Sequence, residues 1–446
     1  MTTYIQHIVR RSGAAVMALL VVFSFGCDDQ IMDAGSDFAS DAEPRSKIRN
    51  PELLDRAVTA SGKDGEQVSL VFAIEPSKVV DRYKVVDRYK VVDRYKVVDR
   101  YKVVDRYEFD HGFQGFAIWV NAQYLNEILR AMSDDPLIRW VEPVFPVDAP
   151  GGSEAAGGSS QVLPWSVADV GGTQSWTVSG NGSGDVDVDI FVIDSGVSND
   201  DINVVSRIDF TGEGDDDFDG HGTHIAGIAA AIDDADGAVG VSPGARIHSL
   251  KVFGQSGQTD DTVLAKAVEY VIDWKSLNPS SPAVINISAG ADVDGAWTAL
   301  DDAVQAAVEA GITVVTAAGN EGIDASDVTP AHVEGAITVG SYARTSNWRK
   351  MSTFSNTGRM VDILAPGENI FSTAPGSGFA FMSGTSMSTG HVTGAVALFL
   401  ATEPDATPER VDAWLKRQAN PSVIAARKGT TNRALNVASS YAADMD

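Results

Sequence analysis

The chain has almost no cysteine and a large deficit of positive charge. Its 446 residues contain a single cysteine, so no disulfide can form within one chain. Its 34 lysines and arginines stand against 61 acidic residues, which gives a net charge of −27. Most of the imbalance falls in residues 161–446, where 15 cationic residues face 37 acidic ones. This charge argues against nucleic acid as a partner, because the phosphate backbone would be repelled.

The apolar stretch near the N-terminus is too short to span a membrane as a mature helix. Residues 14–25 are apolar and follow His7, Arg10 and Arg11, which is the layout of a signal peptide. We therefore predict a signal peptide at residues 1–27 and a secreted or bacterial-envelope protein. Cys27 follows directly and leaves two interpretations open. It is either acylated, as in a lipoprotein precursor with a lipid anchor, or an incidental cysteine of an ordinary signal peptide.

Three short motifs place an acid, a histidine and a serine where strands end or helices begin. Asp194 ends the strand-like run 186–194, His221 begins a helix-like segment, and Ser386 precedes another. A hydroxyl at a helix N-terminus lies where free N–H groups and the helix dipole favour a developing negative charge. A Gly/Ser/Thr cluster alone usually marks a turn. The three motifs together indicate an acyl-transfer triad.

These motifs, DSGV, GHGTHIAG and GTSMSTGH in the order Asp, His, Ser, resemble the active-site signatures of the subtilisin-like serine proteases, the subtilases. Further segments are similar to the family in the same order, at residues 241–245, 285–290, 312–322 and 351–367. The resemblance covers roughly residues 161–401 and is closest to the proteinase K branch. It implies that Ser386 is the nucleophile, that His221 is its base, and that Asp194 orients that base.

The same resemblance implies an oxyanion site and a substrate groove. Asn320 would donate its amide to the oxyanion beside the backbone N–H of Ser386. Ser288, Ala289 and Gly290 would line the groove and bind a polypeptide substrate as an added strand. Residues 255–259 are expected to form the opposite rim.

Three positions depart from the family pattern. Gly390 stands where a proline is usual and Ser388 where an alanine is usual, so we expect a looser serine loop. Asp219 replaces a usual asparagine, and its charge is expected to raise the pKa of the nearby histidine. His224 and His391 are predicted to be packing residues.

The chain divides into five predicted segments. After the signal peptide, residues 28–64 are a disordered spacer. Residues 65–148 resemble the subtilase propeptide, a small α+β domain that assists folding and then inhibits its own enzyme; the alternative is a generic binding domain. Residues 149–161 are a flexible, cleavable Gly/Ser linker. Residues 162–446 are the catalytic domain.

Five tandem copies of KVVDRY occupy residues 78–107. A six-residue period turns a helix by about 600°, so the apolar positions share no persistent face. Neighbouring copies can pair Asp81 with Lys84, and likewise along the run. We predict that one copy forms the first helix of the propeptide-like domain and that the others form a partly helical arm. A repeat that binds a partner is the alternative.

The remaining pattern predicts an α/β fold, a parallel sheet with helices on both faces and the site at the carboxyl ends of the strands. Predicted strands cover residues 186–194, 246–252, 283–287 and 312–317, and predicted helices cover 262–274, 297–310, 387–400 and 407–418. Thr407 is the expected N-cap of the last helix.

No cofactor is expected for the chemistry, but structural calcium is, because an exported protein without disulfides needs other stabilising links. The acidic run 213–219 is a candidate cation site, as are Asp200 and Asp201, although a solvated loop fits each equally well. We name no calcium ligands.

The sequence therefore predicts an exported, monomeric serine endopeptidase that removes its own propeptide. The alternative is a catalytically idle, envelope-anchored binding protein of the same fold.

Overall fold

The computed structural model describes residues 47–51, 67–74, 104–121, 124–125, 128–129, 138–148, 154–156, 160–345, 348–427 and 429–438. The predicted signal peptide with Cys27 and the first four repeat copies lie outside the described residues. Among the helices that the model does describe, none is long and apolar enough to cross a membrane.

A four-stranded antiparallel sheet lies N-terminal to the predicted catalytic domain. Its strands, and two short strands that follow them, are β1 (Gln67–Ile74), β2 (Val104–Phe109), β3 (Gly115–Asn121), β4 (Ile138–Pro143), β5 (Pro146–Asp148) and β6 (Glu154–Ala156). The order across the sheet is β2-β3-β1-β4. The apolar patterns of residues 69–74 and 112–120 predict strands that correspond to β1 and β3, whereas the strand predicted at 138–147 is interrupted after Pro143.

The last KVVDRY copy differs from the prediction of a helix. Its residues 104–107 belong to β2, where Val104 pairs with Trp119 and Tyr107 pairs with Ala117. Pairing with β3 supplies the ladder hydrogen bonds that a local helix would otherwise provide, so tertiary context decides the conformation. This copy therefore completes the sheet and does not form part of a helical arm.

The larger part of the chain contains fourteen further strands and six helices within the described residues. The strands are β7 (Asp189–Asp194), β8 (Val204–Asp209), β9 (Arg246–Lys251), β10 (Gln258–Asp260), β11 (Ala283–Ile287), β12 (Ala291–Asp292), β13 (Thr313–Ala317), β14 (Val328–Thr329), β15 (Ile337–Arg344), β16 (Arg349–Met351), β17 (Ile363–Pro366), β18 (Ile370–Ala374), β19 (Gly378–Met382) and β20 (Val423–Ile424). The helices are α1 (Trp165–Asp169), α2 (His221–Ala230), α3 (Asp261–Leu277), α4 (Ala299–Glu309), α5 (Thr385–Thr402) and α6 (Pro408–Gln418).

A nine-stranded, mostly parallel sheet forms the centre of this part. Its order is β20-β16-β15-β13-β11-β7-β9-β8, with β17 beside β15. From β8 through β9, β7, β11 and β13 to β15, each strand runs parallel to the next. Strand β17 is also parallel to β15, whereas β16 pairs antiparallel with it. The central strands β7, β11 and β13 are buried along their whole length, as apolar runs in a parallel sheet should be.

Side chains that alternate along β7 separate two apolar cores. Ile190 and Val192 belong to the core that contains α2 and α5. Phe191 and Ile193 belong to the core that contains α3 and α4. Because successive side chains on a strand point to opposite faces, helices cover both faces of the sheet. The predicted α/β fold is confirmed.

Polar side chains fix the starts of three helices. Asp260 accepts hydrogen bonds from the backbone of Thr262 and Val263 at the start of α3. A capping box formed by Thr298 and its third following residue begins α4. Thr407 caps α6, as predicted. Caps of this kind stabilise a helix by about 1 kcal/mol each.

Two segments that were predicted to lack regular structure make defined contacts. In the predicted linker, β6 pairs antiparallel with β19. At the end of the predicted spacer, the Arg49 guanidinium forms an ion pair with Asp302 at 2.7 Å, and Asn50 donates to the carbonyl of Trp297. Both contacts depend on the catalytic part of the chain, which composition cannot reveal.

Candidate active site

A buried carboxylate and imidazole form a hydrogen-bonded pair at the end of the sheet. Asp194 is the last residue of β7 and His221 is the first residue of α2. His221 Nδ1 lies 2.8 Å from one carboxylate oxygen of Asp194 and 3.0 Å from the other. The amide of Ser195 donates to the same carboxylate at 2.7 Å. Asp194 therefore fixes both the orientation and the tautomer of His221.

The loop before α2 positions His221. The Asp217 carboxylate accepts hydrogen bonds from the backbone of Gly220 at 2.8 Å and from both the backbone and the hydroxyl of Thr223. It therefore satisfies N–H groups that the first turn of a helix leaves free. A side chain at position 222 would come within 2.2 Å of the Gly196 carbonyl, so glycine is required for α2 to approach β7.

Ser386 lies in the first turn of α5 and is buried. Its hydroxyl donates to the carbonyl of Ser288 at 3.1 Å. His221 Nε2 is buried and has no hydrogen-bond partner among the described residues. The structure thus brings Asp194 to His221 and Ser386 to Ser288, and leaves an imidazole nitrogen free to accept a proton.

Asn320 lies in the loop after β13 and is held by the residue before the serine. Its Oδ1 accepts hydrogen bonds from the backbone of Thr385 at 2.8 Å and from the Thr385 hydroxyl at 3.1 Å. These two donors fix the orientation of the Asn320 amide with its oxygen toward Thr385. The Nδ2 group then has both of its protons available for other acceptors. An amide with this orientation can donate to an oxyanion formed near Ser386.

The two predicted rims enclose a segment of this same chain. The rim at residues 255–259 contributes to β10, which pairs antiparallel with β5. The other rim, Ser288, Ala289 and Gly290, leads directly into β12, which also contacts β5. Residues 146–148 therefore lie as an added strand on the first rim and beside β12, which continues the second, the mode expected for a peptide.

The acids around His221 favour its charged form. Burial alone would lower the pKa of His221, but the charge and hydrogen bond of Asp194 oppose this effect. The negative charges of Asp219 and Asp217 also raise the pKa of His221, which as a result lies above its usual value. The expectation for Asp219 agrees with this direction. A base with a raised pKa becomes neutral, and therefore able to accept a proton, only at higher pH.

The variant Asp219→Asn is expected to shift the acid limb of kcat/KM to lower pH. Removing this negative charge lowers the pKa of His221, so the neutral base is populated at lower pH. The measurement is a pH–rate profile with a peptide substrate. Asp215→Asn, an exposed acid of the same loop, is the control and should leave the limb in place. If the apparent pKa of the acid limb is unchanged or higher in Asp219→Asn, this account is contradicted.

The other two histidines of this region are packing residues, as predicted. Burial lowers the pKa of His224 to about 3, and its Nε2 bonds the carbonyls of Ile370 and Ala380. Burial also lowers the pKa of His391 to about 4, and its Nδ1 bonds the carbonyl of Met387.

Gly390 lies in a tightly packed helix and not in a loop. It lies inside α5, where a β-carbon would stand 3.2 Å from the Ile225 carbonyl of α2. Its small size allows the two helices that carry His221 and Ser386 to pack closely. Ser388 is also fixed, because its hydroxyl donates to two carbonyls that end β17.

Several carboxylates of the candidate cation sites already accept backbone hydrogen bonds. The carboxylate of Asp217 is occupied by backbone donors, and that of Glu213 accepts from the backbone of Gln255. The Asp201 carboxylate likewise accepts from the backbone of Ala238. Within the described part of the chain, no group of three or more His, Cys, Asp or Glu side chains is arranged to hold a metal ion.

Structural calcium thus stays a prediction, and chelation tests it. If calcium binds the native state, EGTA should lower the thermal midpoint, since an ion at 100 times its Kd stabilises by about 2.7 kcal/mol. The control is EGTA saturated with calcium, which should restore the midpoint. A midpoint that does not change with EGTA would contradict the prediction.

Sequence reasoning missed two residues that hold the site together. Asp217 was considered only as part of a candidate cation site or a solvated loop, although an aspartate just before a helix is typical of a cap. Thr385 had no assigned role, and nothing in its motif indicates that it would hold Asn320.

Comparison with known proteins agrees with this geometry. A model of the subtilase family matches residues 109–440. An extracellular serine proteinase of Thermus sp. (strain Rt41A) is 36% identical over 316 residues, which cover 66% of this chain and 69% of that protein. The alkaline serine exoprotease A of Vibrio alginolyticus is 32% identical over 345 residues, or 73% of this chain and 59% of that protein.

A solved structure shares the fold. The crystal structure of a cold-adapted subtilisin-like serine proteinase superposes with a TM-score of 0.52 and 34% identity, and the match covers 61% of this chain and 97% of the other. The family match spans well over half of the chain. The chain therefore belongs to the subtilase family, the subtilisin-like serine endopeptidases.

Proposed function

We propose that the protein hydrolyses peptide bonds through an acyl-enzyme on Ser386. The observation that carries this proposal is the state of His221. Asp194 holds its Nδ1, and its buried Nε2 has no partner among the described residues. A nitrogen in this state is suited to remove a proton from a serine hydroxyl.

In the proposed reaction Ser386 Oγ attacks the substrate carbonyl while its proton passes to His221 Nε2. Asp194 stabilises the imidazolium that forms. Asn320 Nδ2 and the backbone N–H of Ser386 stabilise the oxyanion. His221 then returns the proton to the leaving amine. Water attacks the resulting ester with His221 again as base, which releases the acid and restores the serine.

The substrate is a polypeptide that lies between the two rims. The strand β5 supports this mode, because it already pairs with β10 and contacts β12. In the precursor, residues 146–148 would therefore block the groove, and the propeptide-like segment that carries them would act as an intramolecular inhibitor. Two side chains hold them in place: buried Glu142 accepts from the backbone of Ala299, and Glu269 accepts from the backbone of Asp110 and His111.

Activation would follow self-cleavage within or near residues 149–161. The mature enzyme would be a secreted monomer, and a lipid on Cys27 would remain with the removed segment. The name of the Thermus relative, an extracellular proteinase, supports export. The alternative of an idle binding protein is not favoured, because family and site geometry both agree with catalysis.

A fluorophosphonate probe tests this proposal. The processed protein should be labelled, and peptide mapping should locate the label on Ser386. The His221→Ala variant, obtained folded, should label far more slowly because the serine loses its base. If the processed wild type is not labelled, or if the label lies on another serine, the proposal is wrong.

A further inference from the structure

A buried lysine outside the proposed triad lacks an acidic partner. Lys251 ends β9 and its residue is 1% exposed. It forms no ion pair with the residues that the structure describes. Burying an ammonium group without compensation is costly. The hydrogen-bond partners of the Lys251 ammonium therefore indicate which segments this lysine holds together.

The Lys251 ammonium joins the two segments that carry the acid and the base. Its Nζ donates to the carbonyl of Ser195 at 3.1 Å and to that of Asp216 at 2.6 Å. Ser195 directly follows Asp194. Asp216 directly precedes Asp217, the residue that caps the helix starting at His221.

The lysine also lies beside the acid in the sheet. Asp194 and Lys251 are register partners on the parallel strands β7 and β9. Register partners of this kind project to the same side of a sheet. The ring of Phe218 covers the ammonium, with its centroid 4.7 Å from Nζ. A positive charge is thus fixed between the residue after Asp194 and the loop before α2, and the ring of Phe218 covers one side of it.

We propose that Lys251 is a positioning residue for the Asp194–His221 pair, a role that rests on the proposed function. It fixes the distance between the end of β7 and the loop before α2. Its charge opposes the acids that face His221, which are Asp194 on β7 and Asp217 and Asp219 in the loop. His224, one turn further along α2, has a low pKa and adds no charge near neutral pH.

The test compares Lys251→Met with Lys275→Met. Methionine keeps the length of the side chain and removes both the charge and the donors. Lys275 is a matched control, because its ammonium also joins two carbonyls, those of Pro279 and Ser281. These lie before β11 begins, at the edge of the sheet opposite the site. Active sites are counted with the fluorophosphonate probe, so each kcat refers to functional enzyme.

We expect kcat per active site to fall about 10–100-fold in Lys251→Met, with KM within about twofold, because small misplacement of a base is costly. The acid limb of kcat/KM should move to higher pH, since a cation that disfavours charged His221 is lost. Lys251→Arg should restore the limb, and Lys275→Met should change neither quantity. If Lys251→Met does not fold, Lys251→Gln, which is neutral but still a donor, should show the same shift.

A wild-type kcat and acid limb in Lys251→Met would overturn the proposal. A lower thermal midpoint or fewer active sites with an unchanged limb would also overturn it, because that result describes a purely structural lysine. Failure of the proposed function is distinguishable, since the processed wild type would then show neither turnover nor label. That result would overturn both proposals.

Discussion

Replacing Ser386 with alanine is expected to lower kcat for a peptide substrate by about 10⁶-fold, with KM changed by no more than a few-fold. The variant lacks the attacking oxygen but keeps the groove and Asn320, so binding persists while the acyl-enzyme cannot form. Because its precursor would retain the inhibitory segment, it should be processed by wild-type enzyme and purified again before assay. The measurement is hydrolysis of a chromogenic peptide, corrected for residual wild type by probe labelling.

Ser388→Ala is the matched control for this loss. Ser388 lies in the same helix and is equally buried, but its hydroxyl donates to the carbonyls of Ala365 and Pro366. Its turnover should stay within a few-fold of the wild type. If purified Ser386→Ala retained more than about a hundredth of the wild-type turnover, a different nucleophile would have to act, far outside the loss expected for a triad serine.

The second large effect is expected at Asn320. The variant Asn320→Ala should lower kcat by about 10²–10³-fold with little change in KM, because the lost hydrogen bond forms only as the oxyanion develops. Steady-state kinetics on the processed enzyme measure the two constants separately. An effect confined to KM would contradict a role in stabilising the oxyanion.

A second variant separates donation to the oxyanion from support of the loop. Asn320→Asp keeps an oxygen that can accept from the backbone of Thr385 but removes the donor. It should be at least as slow as Asn320→Ala. Asn278→Ala is the control, because that amide donates to the carbonyl of Trp274 at the far end of α3. If Asn320→Asp kept wild-type turnover, the amide would serve only to hold the loop.

The sequence predicts the central sheet well because its strands are buried on both faces. Runs such as residues 283–287 are apolar except for Asn286 and have a helix-like segment on either side, which is typical of parallel strands. Residues at the carboxyl ends of neighbouring parallel strands lie on the same edge of the sheet. This rule places Asp194 and Asn320 on one edge before any coordinates are known.

Contacts between segments distant in sequence were not predictable in the same way. The last repeat copy has no persistent helical face, yet its strand conformation depends on β3, whose own position depends on β1. Strands β5 and β6 consist of three residues each, too short for any period to be recognised. Their conformation depends on the edges of β10 and β19.

The hydrogen-bonding role of Asp217 before α2 was not predicted, for a physical reason. A run of carboxylates has the composition of a cation site, but composition does not show which groups are already hydrogen-bonded. Asp217 accepts from backbone donors that exist only once α2 has formed. The buried position of Lys251 could not be predicted from the sequence either, because a lysine at the end of a strand is usually solvated.

The central claim is that Ser386 of this chain cleaves its own precursor, and intact mass measures this directly. Wild type, Ser386→Ala and Ser388→Ala would be expressed and purified in the same way. We predict that wild type and Ser388→Ala lose everything before a cut within residues 149–161, while Ser386→Ala keeps residues 65–148. Equal trimming of all three proteins, or none in any of them, would contradict self-processing by Ser386.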